Sequence, residues 1–218
     1  MTIDCAGEDA GIVEPSEDWV SLEYLYQAFP STPENRNLWR TAVQEIYYQL
    51  KAQGHHGLPA LIPGLVHARV ATALLAAGYR SNRNLRHQSF LCLGCHAGLE
   101  VRILRDLGAG RVYGLEIRRA VVESGMDAHL IESGEVAIAD YWEVLHRPNP
   151  SATWDTIMLL APEDVSLQVL WDTVRPHLVP GGRLAVVAQM SDVKEIPQEA
   201  YGGAALEGTM RWLGLRKG

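Results

Sequence analysis

The stretch "FLCLGCHAGLE", residues 90–100, decides the fold of this chain, because an apolar run meets a glycine-rich turn that opens a helix. Gly94 and Gly98 frame the turn, and glycine allows a tight bend with backbone amides that a ligand can approach at a helix N-terminus. A strand, such a turn and a helix together are typical of sheets that bind nucleotides. The two glycines therefore predict a turn that can bind a nucleotide-type ligand.

The same letters contain Cys92-Leu-Gly-Cys95-His96, which on its own reads as a c-type haem attachment site or a Cys-x-x-Cys redox pair. Haem attachment requires an oxidising compartment, and the N-terminus has neither a basic start nor an apolar run that would export the chain. A thioredoxin-like pair is disfavoured because Cys92 falls inside the strand, with its side chain alternating away from Cys95. Three cysteines are too few for a disulfide framework. Zinc needs about four ligands, and Cys5, His55 and His56 are distant and unpatterned, so we expect no metal and expect Cys92 to be a small core residue.

Charge and helical periodicity divide the chain into three parts. Six of the seven net negative charges lie before residue 19, which predicts an acidic flexible tail over residues 1–17. Residues 18–85 are expected to form a helical N-terminal cap, with helices over 18–29 and 31–54 and a third that begins at Pro63 and ends at Gly78. Residues 86–218 would then form a Rossmann-like domain. The basic loop residues Arg80, Arg83, Arg86 and His87 lack the breadth of a nucleic-acid groove.

From residue 86 onward, short apolar runs alternate with helical segments, a pattern that is typical of a parallel sheet built from βαβ units. Helices are predicted over residues 99–107, from Arg118, and over residues 166–178. The fold class is therefore α/β, with a doubly wound, mostly parallel sheet. The five predicted strands cover residues 90–93, 112–115, 136–139, 156–160 and 184–188.

Two acidic residues follow the glycine turn at places where strands end. Glu116 comes 18 residues after Gly98 at the end of the second strand, where a carboxylate can accept both hydroxyls of a ribose. Asp140 ends the third strand, although it could equally cap the helix that follows. With "WDTIMLLAP" and "VRPHLVPGGRLAVVAQ" further on, residues 88–190 resemble the class I S-adenosylmethionine-dependent methyltransferases in motif order and spacing.

The resemblance implies S-adenosylmethionine as cofactor, with the helical cap on the substrate side of the sheet. Two positions depart from the family: an acidic residue that normally helps hold the cofactor's ammonium group is replaced by Cys92, and a second glycine by His96. The short C-terminal end would supply one closing strand, from "ALEGTMRWLGLRKG". His96 is the candidate catalytic base, with His67 as an alternative. The candidate cofactor-binding residues are Gly94, Cys95, His96, Gly98, Glu116, Ile117, Asp140 and Tyr141.

Three functions are compatible with these motifs. The first is methyl transfer from S-adenosylmethionine to a small-molecule acceptor. The second is a catalytically inactive methyltransferase-like protein that acts as a binding or regulatory module, which Cys92 and His96 favour. The third, aminopropyl transfer, has only the acidic "APEDV" at 161–165 in its support. We expect a cytoplasmic protein without a membrane span and with a small molecule rather than nucleic acid as acceptor; a homodimer or a protein partner stays open.

Overall fold

The computed structural model describes most of the chain after the predicted first two helices. The acidic tail and the helices predicted over 18–29 and 31–54 lie outside the described part. None of the described helices has the length and apolar character needed to cross a bilayer. The described residues are 63–79, 82–147, 152–160, 162, 164–204 and 210–218.

A seven-stranded sheet forms the centre of the described part, with strand order β3-β2-β1-β4-β6-β9-β8. The first five strands of that order are parallel, and β9 runs antiparallel to both of its neighbours. The strands are β1 (Ser89–Leu93), β2 (Arg111–Glu116), β3 (Val136–Ile138), β4 (Trp154–Leu160), β6 (Leu178–Gln189), β8 (Tyr201–Ala204) and β9 (Met210–Arg216), with β5 (Val165–Ser166) and β7 (Val193–Lys194) as a separate parallel pair.

All five predicted strands are present, which confirms the doubly wound, mostly parallel sheet. The predicted closing stretch does form a strand, β9, and β8 is a second closing strand that the sequence did not predict. The C-terminal end is nevertheless short, since residues 190–200 connect β6 to β8 without an α-helix. The sheet is therefore closed by an antiparallel pair without the helix that the resemblance associates with it.

In the described part of the chain, five α-helices cover the two faces of the sheet. Helices α1, α2 and α3 share one buried apolar cluster with Phe90 and Cys92, and α4 and α5 share a second one with Leu91 and Leu93. Alternate residues of β1 thus point to opposite faces, and the strand is buried on both. The structure confirms Cys92 as a small core residue, only 3% exposed. The helices are α1 (Pro63–Ala76), α2 (Leu99–Asp106), α3 (Arg119–Asp127), α4 (Tyr141–Leu145) and α5 (Leu167–Val174).

The reversal of chain direction across the sheet determines where a ligand can bind. β1 has β2 on one side and β4 on the other, and the helices that follow β1 and β4 lie on opposite faces. In such a sheet, a crevice opens outside the carboxyl ends of the strands at this switch point. The turn between β1 and α2, which holds the two glycines of the opening stretch, borders that crevice.

Gly98 and Gly108 offer a matched test of the turn. Both have left-handed backbone, with φ of +80° and +84°, but a Cβ on Gly98 would lie 2.3 Å from Ile131 Cγ2, whereas one on Gly108 would meet no atom within 4 Å. We expect Gly108→Ala to lower the free energy of unfolding by about 1 kcal/mol through backbone strain. Gly98→Ala should lower it by about 1–3 kcal/mol more, because Ile131 must move. Urea denaturation would measure both, and equal losses would contradict the packing role.

Candidate functional site

The glycine turn leaves open space around its first residue, Gly94. Gly94 has φ of +62°, and a Cβ placed on it would meet no atom within 4 Å. Gly98 faces the protein interior instead, and its N–H donates to the Cys95 carbonyl at 2.8 Å. Of the two predicted glycines, Gly94 therefore allows close approach of a ligand, whereas Gly98 allows the turn to pack against α3 and β3.

Glu116 lies at the end of β2 with only 3% of its surface exposed. Its Oε2 accepts from the His96 backbone N–H at 3.0 Å, and its Oε1 accepts from the backbone N–H and the Nε–H of Arg118, each at 2.9 Å. Burial opposes ionisation of this carboxyl, but the hydrogen bonds and charge of Arg118 outweigh it and lower the pKa of Glu116. Glu116 is thus an ionised, buried carboxylate that joins the glycine turn to the end of β2.

His96 takes part in the same network. Its backbone has left-handed φ of +49°, and its Nδ1 contacts the Arg118 guanidinium. Burial and the positive charge of Arg118 lower the pKa of His96 to about 4, so the ring is neutral at neutral pH. Arg118 can only donate, so Nδ1 is the acceptor and the ring proton lies on Nε2. A role of His96 as base requires Arg118 to move away first, and it stays a prediction.

Two isoleucines stand exposed beside Glu116. Ile117 is 63% exposed and Ile138 is 36% exposed. Ile138 is the register partner of Glu116 on the neighbouring strand, which places its Cα about 5 Å from that of Glu116. These side chains form an exposed apolar border at the carboxyl ends of β2 and β3. Sequence reasoning identified Ile117 but missed Ile138, whose apolar character was read only as strand core.

Asp140 and Tyr141 follow β3 at the start of α4. The Asp140 Oδ1 accepts from the Trp142 backbone N–H at 2.8 Å, so this carboxylate caps the helix. The Tyr141 ring packs against that of Trp142, with 5.2 Å between ring centroids. The helix cap was the alternative reading of Asp140 from the sequence, and it is the contact that the structure shows. Ligand contacts by Asp140 and Tyr141 stay predictions.

Both cysteines of the opening stretch are buried free thiols. Burial, with a smaller effect of the Glu100 charge, raises the pKa of Cys92 and of Cys95 well above its ordinary value. Such protonated thiols are poor nucleophiles, which disfavours the redox reading. Cys95 fills the space beside Gly114, where an added Cβ would lie 2.4 Å from its Sγ, and a ligand contact by Cys95 stays a prediction. Across the described residues, no group of three or more His, Cys, Asp or Glu could hold a metal ion.

Glu100 is a second buried carboxyl near the turn, which sequence reasoning did not identify. It lies in the first turn of α2 and is 5% exposed. In the described part of the chain, no hydrogen bond or ion pair joins its carboxyl to another residue, although its own backbone N–H hydrogen-bonds to it. Burial is the main cause that raises the pKa of Glu100 to about 8, and the negative charge of Glu116 adds to it.

The raised pKa of Glu100 predicts how stability depends on pH. Between pH 4.5 and 8 the folded protein holds a proton on Glu100 that the unfolded chain releases, so the free energy of unfolding falls as the pH rises. We expect a loss of about 1 kcal/mol per pH unit from this group. Glu100→Gln should remove that part of the slope, as measured by urea denaturation from pH 5 to 8. Identical slopes in both proteins would show that Glu100 titrates normally.

Comparison with known proteins identifies the fold. No protein-family model matches the sequence, and no curated protein matches it. Among solved structures, human methyltransferase-like protein 13 in complex with SAH is 16% identical, with a TM-score of 0.55 over 70% of this chain and 82% of that one. An rRNA methylase from Streptococcus thermophilus is 13% identical, with a TM-score of 0.50 over 68% of this chain and 96% of that one.

A third similar structure is TrmN from Thermus thermophilus, which is 20% identical, with a TM-score of 0.50 over 71% of this chain and 48% of that one. At these identities, the likeness concerns the fold. The strand order, the antiparallel β9 and the glycine turn after β1 agree with it. The described part of this chain has the class I methyltransferase fold.

Proposed function

We propose that this protein binds S-adenosylmethionine and transfers its methyl group to a small-molecule acceptor. The proposal is supported by three features that lie together at the carboxyl edge of the sheet. An open glycine turn, an ionised buried Glu116 and the exposed Ile117 and Ile138 lie at the carboxyl ends of the neighbouring strands β1, β2 and β3. The turn offers backbone amides, Glu116 offers an acceptor for hydroxyl groups, and the two isoleucines offer an apolar surface. Together these groups suit an adenosine-containing ligand.

Each of these groups has a distinct task in the proposal. Glu116 would accept hydrogen bonds from the ribose hydroxyls, and Ile117 and Ile138 would contact the adenine ring. The cofactor supplies an activated methyl group: a lone pair of the acceptor bonds to the methyl carbon while the carbon–sulfur bond breaks and its electrons return to sulfur. The protein would chiefly align the acceptor and exclude water. An acceptor that loses a proton also needs a base, for which His96 is the candidate.

Arg118 competes with the proposed ligand for Glu116. A carboxylate offers about four acceptor positions, and Arg118 and the His96 N–H already occupy three of them. Ribose hydroxyls must therefore displace part of the Arg118 contact. This observation, with the uncharged Cys92, favours the second candidate function, a catalytically inactive module that binds a partner. The two candidates differ in whether the purified protein transfers a methyl group, because an inactive module either binds no cofactor or binds it without catalysis.

The small-molecule acceptor is supported by charge. The net charge of −7 gives no excess of positive charge for phosphate contacts, which dominate affinity for nucleic acids. Because one of the similar structures is an rRNA methylase, RNA is a necessary comparison among acceptors. A methylation assay with a small-molecule panel and with total RNA would distinguish these acceptor classes.

Calorimetric titration with S-adenosylmethionine and S-adenosylhomocysteine tests cofactor binding. We expect micromolar binding that Glu116→Gln weakens about 10- to 100-fold, because hydrogen bonds to a charged acceptor contribute about 1.5–3 kcal/mol. Glu123→Gln, on the exposed side of α3, is the matched control and should bind as the wild type does. No heat and no thermal shift at millimolar ligand would support the inactive module instead.

Substitution of Ile117 tests the adenine border without disturbing the core. Because its side chain is 63% exposed, Ile117→Ser should leave the thermal midpoint unchanged. It should weaken S-adenosylhomocysteine binding about 3- to 30-fold, since an isoleucine covered by the ligand contributes up to about 2 kcal/mol. Val169→Ser, at a 49% exposed position of α5, serves as control. Equal affinities of the Ile117 variant and the wild type would place the adenine elsewhere.

A further inference from the structure

We propose that Glu100 receives the positively charged end of the ligand, as the carboxylate that pairs with an α-ammonium group. This inference rests on the proposed function, because it assigns a partner to the amino-acid part of the same adenosine-containing ligand. Cys92, the position where the resemblance implies an acidic residue, carries no charge. Glu100 supplies a carboxyl beside it from the first turn of α2.

The position of Glu100 on α2 is one where an apolar residue is expected. Ile103 and Leu104, three and four residues further along, are both buried on the same face of the helix. A carboxyl at such a position destabilises the fold unless something compensates for its burial. Within the described residues, the compensation for the Glu100 carboxyl is limited to its own backbone N–H and the positive charge of Arg69.

Charged and titratable groups from four parts of the fold surround Glu100. Arg69 of α1 lowers its pKa and Glu116 of β2 raises it, and the charge of Glu100 in turn acts on Cys92 of β1 and Cys95 of the turn. Arg69, Glu116 and the two thiols are therefore near the Glu100 carboxyl, and Glu100 itself comes two residues after Gly98, in the first turn of α2. A ligand seated over Gly94 with a cationic end would bring that charge towards Glu100.

Cation binding at this carboxyl has a consequence that a purely structural acid would not show. Glu100 holds its proton at neutral pH because its pKa lies at about 8. A positive charge placed beside it lowers that pKa and drives the proton into solution. Binding of an ammonium-bearing ligand near pH 7 should then release close to one proton. A neutral ligand at the same site should release none.

The test compares two ligands that share the adenosine and the sulfur and differ in the amino-acid part. S-adenosylhomocysteine carries the amino-acid part, whereas 5′-methylthioadenosine keeps the adenosine and the sulfur but has no ammonium group. Titrations at pH 7 in phosphate and in Tris, whose ionisation heats differ, count the released protons. We expect Glu100→Gln to weaken S-adenosylhomocysteine binding at least 10-fold, to abolish proton release, and to change 5′-methylthioadenosine binding less than twofold. Glu123→Gln is again the control.

Three results would overturn the inference. An equal loss of affinity for both ligands in Glu100→Gln would show that the residue only shapes the site. Unchanged S-adenosylhomocysteine affinity, with the same proton release as the wild type, would place the ammonium elsewhere and leave the proposed function intact. Wild-type protein that binds neither ligand would refute the proposed function and this inference together. Thermal midpoints of all variants verify folding, and glutamine preserves the size and hydrogen-bonding capacity of the protonated side chain.

Discussion

The hydrogen bond from the His96 backbone N–H to the buried Glu116 carboxylate is the contact on which the rest of the site depends. It joins the turn after β1 to the end of β2, two segments that meet only because their strands are parallel neighbours. A buried carboxylate requires compensation for its lost hydration, and Arg118 provides it with two further hydrogen bonds. Arg118 then also contacts the His96 ring, so the ionised Glu116 and its two partners form one network.

Much of the fold could be predicted because the sequence features that indicate its strands and helices lie within short segments of the chain. Apolar runs of four or five residues mark the buried strands, and Gly78 and Ser166 mark helix ends through backbone conformation and capping. β8 escaped prediction because its sequence, Tyr-Gly-Gly-Ala, has low intrinsic strand preference. It becomes a strand through antiparallel pairing with β9, and that pairing is a tertiary contact which no window of the sequence contains.

Part of the candidate site could also be predicted, because the features that place Glu116 lie within one short segment of the sequence. Glu116 stands at the end of an apolar run, so both its place on the sheet edge and its direction towards the turn follow from strand geometry. Arg118 could not be placed, because a long side chain two residues after a strand can reach solvent or fold back. Glu100 could have been found from its spacing to Ile103 and Leu104, since helical periodicity puts all three on one buried face.

Cys92 and His96, the two residues that depart from the pattern of the family this chain resembles, can be understood together from the charges around them. Cys92 stands in β1 where the resemblance implies an acidic residue, and Glu100 brings a carboxyl near this position from α2. Placing His96 in a left-handed position adds an acceptor for Arg118, which in turn stabilises Glu116 as an anion. The two carboxyls thus differ in state, because Arg118 hydrogen-bonds to one and burial dominates at the other. In the proposed site, Glu100 would lose its proton and pair with an incoming cation because no other partner in the described part of the chain occupies its carboxyl, whereas Glu116, already paired with Arg118, would accept from neutral hydroxyls.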